Sequence, residues 1–155
     1  MKNIKLLLIL LLSYSFGVAQ VSVTPKPKVN LARTGQFLFE KAPIFTVSEN
    51  KVEIIEVAET FATEIGKITG LNTKVFIGNF KSKVGISFVY KKEPKLSNNG
   101  YFLDVSPQRI IVTAEKLAGF SQAIKILHQL IVVKVDEGVS SDYRKVSIPC
   151  CYIEN

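Results

Sequence analysis

Apolar residues along this chain first crowd together, then alternate, then recur every three or four positions, and each spacing predicts a different element. The crowded run is Leu6 to Leu12, behind Lys2 and Lys5. The segment Val21 to Lys28 reads as an extended lead-in, because Pro25 and Pro27 supply no backbone donors. Gln36 to Phe39 and Ile44 to Val47 are short strand candidates on either side of Lys41, Ala42 and Pro43. A helix is predicted over Lys51 to Ile68, capped by Ser48 or Asn50 and stopped by Gly70. Its apolar residues, Ile54, Ile55, Val57, Ala58, Phe61, Ala62, Ile65 and Ile68, cover an arc of roughly 160°.

Strands at Lys74 to Ile77 and Gly85 to Tyr90 follow, then a polar connection from Lys91 that ends on the turn signal Asn98-Asn99-Gly100. A hairpin is legible next: Tyr101 to Val105, a turn at Ser106-Pro107-Gln108-Arg109, and Ile110 to Ala114. Tyr101, Leu103 and Val105 are expected to share a face with Ile110, Val112 and Ala114. A second amphipathic helix spans about Ala118 to Val132, with Phe120, Ala123, Ile124, Ile126, Leu127, Leu130 and Ile131 on its apolar side. Lys134 to Lys145 reads as a polar loop and Val146 to Ile153 as a closing strand. The order β-β-α-β-β-β-α-β predicts an α/β (α+β) sandwich, a mostly antiparallel sheet with two amphipathic helices on one face.

The apolar run near the start changes the picture of where the protein works. A short basic region, a run below the roughly 20 residues of a membrane span, and Gly17 and Ala19 at −3 and −1 describe a secretory signal peptide at residues 1–19, cut before Gln20. The mature product is then expected to be soluble, secreted or periplasmic. Cleavage removes Lys2 and Lys5 and no acid, taking the formal charge from +7 to +5. The remaining lysines, Lys81, Lys83, Lys91, Lys92 and Lys95, fall mostly between apolar runs, as a solvated face does, and no basic stripe with stacking aromatics calls for nucleic acid. With 155 residues and 47% hydrophobic content, one domain with a real core is expected.

Candidate chemistry is sparse. The one histidine, His128, sits on the polar edge of the second helix without the spacing of a nucleophile–base or zinc motif, and reads as structural or surface. Glu53, Glu56, Glu59 and Glu64 share the polar face of one helix and read as solvated rather than as a metal site. Cys150 and Cys151 are neighbours in the last strand, so one can be buried and the other exposed; both are expected as free thiols, with a bridge between them or an intermolecular disulfide as the alternative. Asp136-Glu137-Gly138 is a pair of acids of the kind some glycosidases use, but in a polar loop without aromatic company. No catalytic, cofactor-binding or metal residue is assigned from the residues alone, and no cofactor is implied.

A longer pattern points further. Gly100-Tyr-Phe-Leu-Asp-Val-Ser-Pro-Gln-Arg-Ile-Ile-Val-Thr-Ala-Glu115, then Ala118-Gly119-Phe120 and Leu127-His128-Gln129-Leu130, resembles the N-terminal domain of family 20 glycoside hydrolases, the β-N-acetylhexosaminidases. Thr24-Pro25-Lys26-Pro27 resembles the opening segment of that domain, and Ile148 to Asn155 the strand that leads into its catalytic barrel. Ala123, Lys125, Ile126 and Asn155 depart from the residues common there. The resemblance implies hydrolysis of terminal N-acetylhexosamines by a (β/α)8 barrel, where a Glu is the general acid and an adjacent Asp orients the attacking acetamido group. Asp136-Glu137 lies inside the N-terminal domain and does not match that pair. Residues 20–155 are therefore expected to be a non-catalytic module, truncated or split from a barrel that partners it in cis or as a separate chain. One face of its helical layer would meet that barrel and expose an apolar patch. A free-standing secreted glycan- or protein-binding domain is the alternative reading, favoured by clustering of exposed aromatics such as Tyr90, Tyr101, Tyr143 or Tyr152.

Overall fold

Alternating strands and two amphipathic helices have one efficient way to bury their apolar sides, a sheet with a helical layer on one face. The computed structural model describes residues 22–78, 85–93, 96–135 and 144–155 and shows that arrangement. The elements are β1 (Val29–Leu38), β2 (Ile44–Val47), α1 (Val52–Thr69), β3 (Lys74–Ile77), β4 (Gly85–Tyr90), β5 (Tyr101–Val105), β6 (Arg109–Ala114), α2 (Leu117–Leu130), β7 (Val132–Val135) and β8 (Arg144–Glu154).

The sheet runs β1-β8-β5-β6-β4-β2-β3, with β7 pairing the first part of β8. It is mixed. The pairs β1·β8, β5·β8, β5·β6 and β7·β8 are antiparallel, whereas β2·β3, β2·β4 and β4·β6 are parallel. The β2·β3 pair is parallel because α1 carries the chain from β2 back to the same end of the sheet before β3 starts, the crossover that parallel pairing requires.

Register lines residues up in rows across the strands, and successive rows point to opposite faces. One inner row is Cys151, Val105, Ile110, Ile86 and Phe45; another is Ile153, Leu103, Val112, Phe88 and Val47. All ten are buried beneath the helices. Tyr101 and Ala114 extend the inner face of the hairpin as expected. The helices present Ile54, Ala58, Phe61, Ala62 and Ile65 from α1 and Phe120, Ala123, Ile126, Leu127 and Leu130 from α2. Phe61 stands at the centre, edge-on to Phe45 at 6.0 Å and Phe88 at 6.4 Å.

Several expectations need correction. Neither Ser48 nor Asn50 caps α1: the N-cap position is Lys51, with no side-chain cap bond, and the Ser48 hydroxyl instead accepts the Tyr90 backbone N–H at 2.9 Å. Gly70 does close α1, in the left-handed conformation with φ 72°, and donates its N–H to the Gly66 carbonyl. α2 ends at Leu130 rather than Val132, because β-branched Ile131, Val132 and Val133 leave the helix and continue as β7. The first strand is much longer than Gln36 to Phe39: it begins at Val29 and is held by β8. The lead-in before it is fastened to α2 by a two-way amide contact. Thr24 N–H donates to Gln129 Oε1 at 2.8 Å, and Gln129 Nε2 donates to the Thr24 carbonyl at 2.6 Å.

Candidate functional site

On the outer side of the helical layer, α1 and α2 leave a groove of about 430 Å³ lined by Glu56, Val57, Thr60, Phe61, Glu64, Ser121, Ile124, Lys125 and His128. The same 3.6-residue periodicity that buries one side of each helix places these residues along the seam. Val57 and Ile124 form an apolar floor, half-buried against the core. Glu56 and Lys125 rim it as exposed charges. His128 Nε2 lies 2.9 Å from Glu64 Oε2, joining the two helices, and its ring stands edge-on to Phe61 at 5.3 Å.

This places His128 on the surface of the helical layer, as the sequence suggested. A carboxylate orients the imidazole, but the groove's hydroxyls are poorly placed for a nucleophile. Ser121 lies two helical turns, about 10 Å, from His128 along α2, and the Thr60 hydroxyl donates to the Glu56 carbonyl at 2.8 Å. Among the described residues, no group of three or more His, Cys, Asp or Glu comes together to hold a metal ion. Asp136, Glu137, Gly138 and Tyr143 lie outside the described residues.

The apolar patch expected on the helical layer is narrower than a uniform face. Exposed large apolar residues at the helix starts are Val52, 65% exposed, and Leu117, 43% exposed, while Leu31, Ile77, Val132 and Val133 lie on strands. The layer is charged mainly along α1, where Glu53, Glu56 and Glu59 face solvent.

Simple strand alternation does not describe the cysteine pair. Both thiols are free, but both are buried. Buried positions on β8 run Val146 and Ile148, then Cys151 and Ile153, so the inward parity changes between them, where β1 carries a register shift between Ala32 and Gln36. Cys151 faces the core; Cys150 sits under the shifted part of β1, its Sγ 3.6 Å from where a Cβ on Gly35 would lie. Burial, and after it the adjacent Cys150, pushes the Cys151 thiol up to about 11, and burial also raises Cys150 and Tyr101. These groups are neutral at physiological pH and unreactive as nucleophiles.

The sign of the pH dependence follows. With an ordinary value of 9.0 in the unfolded chain and about 11 in the folded one, Cys151 favours folding fully below pH 9, and that contribution disappears as pH rises to 11. The thermal midpoint is expected to fall over that interval, with a loss of up to about 3 kcal/mol from Cys151, at about 1.4 kcal/mol per pKa unit. Thermal unfolding followed from pH 7 upward checks this, and Cys151→Ala should shallow the decline.

On the opposite face of the sheet no helix is packed among the described residues. One outer row is Leu31, Tyr152, Asp104, Ile111, Ser87, Thr46 and Phe76. The next is Glu154, Phe102, Thr113 and Val89. Here Arg33 Nη1 meets Asp104 Oδ1 at 2.7 Å, and the guanidinium stands over the Tyr152 ring at 5.6 Å. Sequence reading did not find this cluster, because its members come from three strands and meet only through the β1·β8·β5 pairing. Of the described tyrosines considered for a binding surface, Tyr152 belongs to it. Tyr101 is buried, and Tyr90 is half-buried with Lys51 Nζ 3.1 Å from its ring centre.

The family model for glycosyl hydrolase family 20, domain 2, matches residues 20–154. Among solved structures, Streptomyces plicatus N-acetyl-β-hexosaminidase is similar with a TM-score of 0.70 and 20% identity over 88% of this chain and 26% of its own. The Vibrio harveyi GH20 exo-β-N-acetylglucosaminidase gives 0.59 and 25% over 88% and 19%. The Bacteroides fragilis β-N-acetylhexosaminidase gives 0.58 and 23% over 86% and 24%. The chain thus spans about a quarter or less of these proteins. No curated protein matches.

Proposed function

We propose, from the premise that the chain belongs to glycosyl hydrolase family 20 as its domain 2, that it is the non-catalytic N-terminal module of an exported β-N-acetylhexosaminidase. Its role is to brace a catalytic (β/α)8 barrel, in cis or from a separate chain, while the barrel hydrolyses terminal N-acetylhexosamines. The observation that carries this reading is the match over residues 20–154, which aligns the whole described fold with one domain of a multidomain glycosidase. A barrel needs about 200 residues or more of its own, so residues 20–154 do not accommodate one beside this domain.

The seam between α1 and α2 is the surface offered to the barrel. An apolar floor of Val57 and Ile124, rimmed by Glu56, Glu64, Lys125 and His128, has the make-up of an inter-domain contact with a dry centre and a charged edge. Residues 1–19 direct export and are removed ahead of Gln20.

The test is made with the barrel. Purified alone, the chain is expected to leave a chromogenic N-acetylglucosaminide intact, and with a family 20 barrel from the same organism the pair should hydrolyse it. Ile124→Glu should weaken that association or lower the joint unfolding temperature, whereas Thr113→Glu on the far face should do neither. Turnover by the chain alone, or indifference to Ile124→Glu, would refute the reading. Mass analysis of the exported product should show Gln20 as the first residue.

A further inference from the structure

The seam between α1 and α2 holds the chain's single histidine, and the charges lining it balance in one state of that residue. His128 Nε2 meets Glu64 Oε2 at 2.9 Å, with side chains 36% and 42% exposed, so solvent reaches part of the pair. Phe61, fully buried, stands edge-on to the imidazole and gives the pair an apolar underside. Glu56 and Glu64 of α1 and Lys125 of α2 line the groove with His128. Glu59 and Lys67 follow on the adjoining face of α1 and offset each other. The strands beneath α2 turn the uncharged Leu103, Val105, Ile110 and Val112 inward, and the lead-in touches Gln129 through the Thr24 backbone. Among the described residues, the groove therefore carries one excess negative charge with a neutral imidazole and none with an imidazolium.

Resting on the reading that a family 20 barrel covers this seam, we infer that docking takes up a proton at His128 and that the barrel meets the groove with an uncharged, apolar surface. The groove supplies its own counter-charges: imidazolium answers Glu64, and Lys125 offsets Glu56 on the rim of the Val57 and Ile124 floor. A partner that shields such a groove gains from burying the floor and needs no charge of its own. Covering the seam while His128 is neutral leaves a carboxylate in a dry contact without a cation, which is strongly unfavourable. Protonation removes that cost, and imidazole is the side chain that ordinarily changes charge between about pH 5 and 8.

An association that binds a proton tightens as pH falls, by at most about tenfold per pH unit. Ordinary carboxylates and ammonium groups keep one charge state across that range, so the dependence belongs to the histidine. A basic barrel surface has the opposite signature. It would pair with Glu56 and Glu64, prefer the neutral imidazole, and lose affinity both as pH falls and as salt rises.

The test is titration calorimetry of the purified chain with the family 20 barrel of the same organism, from pH 8 down to pH 6. Repeating it in two buffers of different ionisation enthalpy counts the protons taken up. Affinity is expected to rise about tenfold over that interval, and to change less than about twofold between about 0.05 and 0.3 M salt. His128→Gln should bind with little dependence on pH, and Glu64→Gln should no longer gain affinity as pH falls. Both substitutions keep Phe61 and the apolar floor, and thermal unfolding of each variant reads its stability separately. The difference in slope between the unaltered chain and His128→Gln assigns the proton to this residue rather than to the barrel. Association as tight at pH 8 as at pH 6, a steep loss with salt, or an unchanged slope in the folded variants would overturn the inference and leave the barrel contact standing. Absence of association at every pH would remove the barrel contact itself, and the inference with it.

Discussion

Replacing Phe61 by alanine is expected to destabilise the fold by about 3–5 kcal/mol, the range for removing a fully buried aromatic ring. Phe61 is completely buried, and its ring is edge-on to Phe45 and Phe88 on the sheet and to His128 on the other helix. Its loss opens a cavity where α1, α2, β2 and β4 converge, and it also removes the surface against which the His128–Glu64 contact rests. Since a domain of this kind has only about 5–15 kcal/mol of net stability, a large part of the folded population is at stake. Urea unfolding measures the effect as a fall in midpoint with little change in slope. Val52→Ala, on the same helix but 65% exposed, should change stability by less than about 0.5 kcal/mol.

Gly119→Ala is the second large effect, and its sign opposes helix propensity. Within a helix, alanine is preferred to glycine by about 1 kcal/mol, so a substitution in the first turn of α2 would stabilise if space allowed. A Cβ at Gly119 would lie 2.3 Å from the Gly100 carbonyl oxygen and 2.9 Å from the Ala114 Cβ. The first neighbour is backbone, leading into β5, and cannot turn away as a flexible side chain can. Either α2 lifts from the hairpin or β5 shifts, and overpacking of this kind costs about 1–3 kcal/mol or more. A drop of several degrees in thermal midpoint is expected; a rise would show that propensity wins and that α2 can slide freely. Gly85→Ala is a parallel check, because its Cβ would come within 2.4 Å of the Ile44 carbonyl oxygen across the β2·β4 pair.

The candidate surfaces were unequally legible. The helical seam follows from periodicity: once Phe61 and Leu127 point inward, Val57, Ile124 and His128 must flank the line where the helices meet. The pairing of His128 with Glu64 was not legible, since their separation is set by how two distant helices align. Nor was the Arg33–Asp104–Tyr152 cluster. It depends on β1 running beside β8, a contact between opposite ends of the chain. The weak alternation of Val29 to Gly35 conceals a strand whose stability comes from its partner rather than from its own pattern.

The two helices, the Tyr101–Ala114 hairpin, the inward faces of β5 and β6, and the family likeness were determined by sequence alone. Each of these depends on residues close in the chain, where side-chain spacing and turn chemistry act locally. Tertiary structure decided the mixed character of the sheet, the continuation of α2 into β7, and the burial of both Cys150 and Cys151. It also decided the cluster on the open face. These are set by which strands meet and in what register, and register is fixed by the fit of whole surfaces, a quantity spread over the chain and present in no single stretch of it.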